Sequence, residues 1–133
     1  MRITTRSIPW LACGLLLSAC ATTADRLEHL DRVQHDYEKA IRWAQFDAAI
    51  SFRKLEPGEP IPSTAALKNV RVTRYTVNNS SLGADKMSAT QVVTINYYRT
   101  DTSRERSVVD RQQWKYFSDD KHWYLMTPLP EFP

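Results

Sequence analysis

The apolar residues change their period once along the chain, and that change constrains the fold more than any other feature. Leu30, Val33, Tyr37, Ala40, Ile41 and Ala44 recur at steps of three and four, the spacing of one helix face. His35 falls on the opposite face. From residue 70 onward the step is two, the period of a strand with one buried face. Val70-Arg71-Val72 alternates, and Tyr75-Thr76-Val77 alternates out of phase with it, so a bulge is predicted near Thr73-Arg74. Further strands are predicted over 89–100, 107–117 and 122–126. The polar stretch Asn78–Asp85 and the turns Asp101–Arg104 and Ser118–Lys121 separate them. Helices followed by an antiparallel meander predict an α+β fold, with N-terminal helices packed on one face of a four-stranded sheet.

Between these halves, Asp47 is predicted to cap a short second helix over 48–52. Pro57, Pro60 and Pro62 remove backbone donors, so residues 55–62 must be a loop. One further helical turn is expected over 63–67. The chain ends in Pro128-Leu129-Pro130-Glu131-Phe132-Pro133, read as an extended tail. At 133 residues the chain supports one domain. Hydrophobic residues at 42% and aromatics at 11% exclude a disordered chain.

The N-terminus carries a different signal. Arg2 and Arg6 precede the apolar run Ile8–Leu17, which is too short to cross a bilayer as a helix. The run closes on Leu17-Ser18-Ala19-Cys20, which resembles the lipobox of bacterial lipoproteins. The resemblance implies a cleaved lipoprotein signal peptide over 1–19, a lipidated Cys20, a tether over 20–24 and a periplasmic domain over 25–133. Two other readings compete: ordinary secretion with cleavage after Ala21, and a short buried apolar helix. Each buried CH₂ of an acyl chain contributes roughly 0.8 kcal/mol to anchoring, and more than one chain makes attachment stable. Position 21 is Ala rather than Asp, which in Gram-negative lipoproteins implies the periplasmic leaflet of the outer membrane.

Cleavage there changes the charge arithmetic. The formal charge of +3 includes Arg2 and Arg6, so the remaining 114 residues hold 16 basic and 15 acidic side chains. Cys13 leaves with the signal and Cys20 carries the lipid, so no intramolecular disulfide is expected. The domain must stand on its core.

Residues 37–49, Tyr-Glu-Lys-Ala-Ile-Arg-Trp-Ala-Gln-Phe-Asp-Ala-Ala, precede strands ending in Trp114-Lys115-Tyr116 and His122-Trp123-Tyr124-Leu125. This pattern resembles the NTF2-like (cystatin-like) superfamily, in small proteobacterial lipoproteins. The resemblance implies a curved sheet with helices in its concavity, often around a conical pocket. It does not imply one activity, because the superfamily includes isomerases, dehydratases, secretion components and binding modules. Outer-membrane assembly lipoproteins of similar size are a further comparison. They pair two helices with a three-stranded sheet, and this chain lacks their Gly-rich helix connection.

Candidate chemistry centres on Asp110. It shares strand parity with Val108, Gln112, Trp114 and Tyr116, so an inward carboxylate is expected if that face is the core. Desolvation would raise its pKa and make it a candidate general base. The competing reading is an ion pair with Arg71, Arg74 or Arg99. Gln112 and Trp114 are ligand-pocket candidates on the same face. Trp43 is another, because it lies off the helical stripe. The aromatic load reads as core packing or as a groove for an apolar or glycan ligand. His29, His35 and His122 are too scattered in sequence for a metal site, and no cofactor motif or nucleophile elbow occurs.

The expected function is a lipid-anchored, non-catalytic binding or accessory module of the envelope. Its partners would be the membrane, through Cys20, and another envelope protein docked on edge strands or the proline-rich tail, with no nucleic acid. The alternative is a small-molecule-binding protein or enzyme with a pocket around Asp110.

Overall fold

A computed structural model describes the backbone of residues 16–133 and the side chains from Thr22 onward. Residues 1–15 of the expected signal segment, and the side chain of Cys20, lie outside the described residues. The element order is α1 (Leu16–Arg42), α2 (Phe46–Ile50), a 3₁₀ turn (Ala65–Leu67), then β1 (Val70–Leu82), β2 (Ser88–Arg99), β3 (Glu105–Phe117) and β4 (His122–Leu125). The strands form one open antiparallel sheet in the order β1-β2-β3-β4, and α1 packs on one of its faces.

Helix α1 starts earlier than expected. Residues 22–24, read as tether, are already helical. The stretch 20–25 contains neither Gly nor Pro, so nothing in it breaks a helix running through. The predicted stripe is the buried face: Leu30, Val33, Tyr37, Ala40 and Ile41 all sit in the core. The helix then ends in a Schellman arrangement. Gln45 N–H donates to the Ala40 carbonyl at 2.8 Å, and Ala44 N–H to the Ile41 carbonyl at 3.0 Å. Ala44 takes φ of 53°, the left-handed conformation this motif requires. Trp43 is therefore the last residue before the chain reverses. Helix α2 begins at Phe46, not Ala48, and Asp47 does not cap it. The Asp47 carboxylate instead accepts a hydrogen bond from the Thr64 hydroxyl.

Strand β1 carries the predicted irregularity between Val72 and Arg74, and a second between Val77 and Asn79. The second bulge lets the polar residues 79–82, read as a connection, pair with β2 as far as Leu82 opposite Ala89. Strand β1 is an open edge, and its bulges, with Arg71 and Arg74, disfavour pairing with another strand. The β4 edge is covered by the chain at 52–54. Leu125 N–H donates to the Phe52 carbonyl at 2.8 Å, and Lys54 N–H to the Leu125 carbonyl at 3.1 Å.

The proline-rich tail is not a free docking segment. Phe132 is buried between Phe46 (ring centroids 5.4 Å apart) and Tyr97 (5.0 Å). Tyr97 Oη donates to the Pro133 main-chain oxygen at 2.7 Å, and Arg106 Nη1 reaches the same oxygen at 2.9 Å. An aromatic residue among prolines has no periodicity to reveal that it belongs to the core.

Candidate functional site

Asp110 faces inward on β3 and is 5% exposed. Gln112, two residues on, is the hub of a buried polar cluster. Its Nε2 donates to Asp110 Oδ2 at 2.8 Å and to Tyr75 Oη at 2.8 Å. Its Oε1 accepts from Trp114 Nε1 at 3.1 Å. The alternation of β3 places Asp110, Gln112 and Trp114 in line, and the first bulge of β1 turns Tyr75 toward them. No ion pair forms at Asp110 among the described residues. Arg71 donates to the carbonyls of Lys68 and Val70, and Arg99 reaches Asp101 and the Phe132 carbonyl.

Helix α1 closes the cluster with Tyr37. Its ring meets Trp114 edge-on at 5.5 Å and Phe52 at 5.7 Å. The Tyr37 hydroxyl is buried and has no hydrogen-bond partner among the described residues. Burial pushes the Tyr37 phenol well up, reinforced by electrostatic repulsion from Asp110 and, when ionised, Tyr75, and opposed by Arg53. Burial also pushes Tyr75 up, against the bond from Gln112. Asp110 is raised by burial, against the same Gln112 amide. A carboxyl and two phenols thus share a buried site that shifts each of them toward its neutral form. Strand parity made Asp110, Gln112 and Trp114 legible. Tyr37 and Tyr75 were missed as site residues, because both also fit plain core positions.

This arrangement has a measurable consequence. A carboxyl whose pKa is higher folded than unfolded holds more protons in the native state. Its contribution to stability therefore falls as pH rises from the ordinary aspartate range through the folded value. Asp110→Asn keeps an acceptor for Gln112 Nε2 and removes the charge. We expect it to raise the urea midpoint at pH 7 and to matter much less at pH 3. A lower midpoint at pH 7 would show instead that the charge stabilises the fold.

Trp43 does not join this cluster. As the capping residue of α1 it points outward and is 76% exposed. It lines a separate depression of about 750 Å³ with Arg42, Lys68, Arg71 and Tyr98.

The histidines are less scattered than their sequence positions suggest. The His29 and His122 rings meet edge-on, centroids 4.8 Å apart, where α1 crosses β4. Burial lowers the pKa of His29, and the neighbouring His122 and Arg32 lower it further. Among the described residues no three His, Cys, Asp or Glu side chains could hold an ion together.

Comparison with known proteins adds no relative: no protein-family model, no curated protein and no solved structure matches this chain.

Proposed function

We propose that the chain is a lipid-anchored envelope protein whose α+β domain, of the NTF2-like (cystatin-like) kind, is a non-catalytic binding or accessory module. The observation that carries this reading is Leu17-Ser18-Ala19-Cys20 behind Arg2, Arg6 and an apolar run. No described helix is long and apolar enough to cross a membrane, so attachment on this reading rests on acyl chains at Cys20. Ala21 directs the protein to the periplasmic leaflet of the outer membrane. One long helix against an antiparallel meander supports the family reading. The non-catalytic reading is supported by Asp110, whose carboxylate is nearly inaccessible and bonded to Gln112.

Cys20→Ser tests the anchor. The parent chain is expected to incorporate labelled palmitate and to fractionate with the outer membrane. The variant should lose the label entirely and leave that fraction. Absence of label on the parent chain would end the lipoprotein reading.

A second reading, a small-molecule site or enzyme around Asp110, draws on one observation: the unpartnered Tyr37 hydroxyl beside Asp110 and Tyr75. A ligand seated there would raise the melting temperature of the parent chain by mass action, and Asp110→Asn would abolish that shift. A broad screen of small carbonyl and hydroxyl compounds without any such shift would count against it.

A further inference from the structure

We propose that the C-terminal end of α1 is a binding site for an acidic glycan, sugar rings whose substituents carry carboxylates. The proposal rests on the envelope reading above and names the ligand class of that module.

Three features of the depression around Trp43 converge. The first is the platform. Trp43 is 76% exposed, whereas Trp114 and Trp123 are buried in the core. The Schellman reversal at Ala44 holds the residue outward, so its exposure is built into the backbone. The C–H-rich face of a sugar ring stacks on a flat exposed indole, and Tyr98 supplies a second ring in the same depression.

The second feature is charge. Arg42, Lys68 and Arg71 line the depression, and no carboxylate does. Arg42 has one long contact to Glu38, at 3.5 Å. Lys68 has no ion pair among the described residues. An apolar ligand has no use for this rim, whereas carboxylates on a sugar polymer would pair with it.

The third is preorganisation. Arg71 Nη1 donates to the carbonyls of Lys68 and Val70, both at 2.9 Å. These bonds pin the guanidinium while its remaining N–H groups have no partner among the described residues. A guanidinium held in place loses less entropy when it binds a carboxylate than a mobile one does.

Location favours a glycan over lipid headgroups. Helix α1 extends about 30 Å from Thr22 to Arg42, so the site lies at the end of the helix remote from the anchor. Nucleic acid is excluded by the compartment of the envelope reading.

Sedimentation with insoluble peptidoglycan tests the proposal, using the full chain purified in non-ionic detergent. The parent chain is expected to pellet with the polymer, to be released as salt rises, and to ignore neutral chitin. Trp43→Ala should weaken binding roughly tenfold or more, about 1.4 kcal/mol. Arg71→Gln should weaken it and reduce its salt dependence. Both residues are exposed, so an unchanged melting temperature will show that the variants fold. Failure of the parent chain to pellet, equal binding by Trp43→Ala, or equal retention on chitin would overturn the proposal. So would Trp43-dependent capture by phosphatidylglycerol vesicles in place of peptidoglycan. Palmitate labelling separates the two readings. A labelled chain that ignores peptidoglycan removes the glycan assignment alone, and an unlabelled one removes the anchor.

Discussion

Trp114→Ala is expected to destabilise the domain by about 3–5 kcal/mol, the range for truncating a buried large aromatic. Trp114 is 1% exposed and sits opposite Ala89 on β2 and Leu125 on β4. Its ring meets Tyr37 of α1 edge-on, one of the contacts that hold the helix on the sheet. Two losses add. The cavity removes dispersion contacts from every lining residue. The missing indole N–H also leaves Gln112 Oε1 without its donor, and an unsatisfied buried acceptor costs about 1–3 kcal/mol. Domains of this size are stable by only about 5–15 kcal/mol, so the variant should be largely unfolded in moderate urea. Trp114→Phe retains much of the volume but not the donor, and should fall between the variant and the parent. Circular dichroism across a urea titration measures both. An alanine variant with the parent midpoint would mean that the buried indole contributes little to the fold.

The second large effect is expected from Phe132→Ala, a loss of about 3 kcal/mol. Phe132 fills a gap between Phe46 at the start of α2 and Tyr97 on β2, bridging the helical layer and the sheet near the end of the chain. The bonds from Tyr97, Arg106 and Arg99 to the main chain at 132–133 depend on the ring holding the tail in place. The substitution should therefore release the whole tail and bring early proteolysis between residues 127 and 133. A melting temperature within a degree of the parent, with no new cleavage, would return the tail to the surface segment that its prolines suggest.

Strand parity was the most informative part of the sequence. Phase opposition between Val70-Arg71-Val72 and Tyr75-Thr76-Val77 was enough to place the first bulge, because a shift of one residue moves every side chain to the other face. The same parity put Asp110 inside with Gln112 and Trp114. The second bulge carried no such signal. Residues 78–81 are Asn, Asn, Ser and Ser on an exposed edge, where neither face demands apolar residues. Trp43 off the helical stripe was legible as unusual, but not its setting, which depends on the reversal at Ala44 and on Lys68 and Arg71 arriving from elsewhere in the chain.

Local chemistry and periodicity were enough to specify the layer order, the buried stripe of α1 and the inward face of β3, because each is written in residues close together along the chain. Contacts between distant segments came only from tertiary packing. Tyr37 of α1 meets Trp114 of β3, Tyr75 of β1 accepts from Gln112 of β3, His29 meets His122 across the crossing of α1 and β4, and Phe132 returns from the last turn to Phe46 and Tyr97. No spacing rule encodes such pairs. They are selected by which arrangement of helix on sheet buries the most apolar surface while leaving the fewest polar groups unpaired.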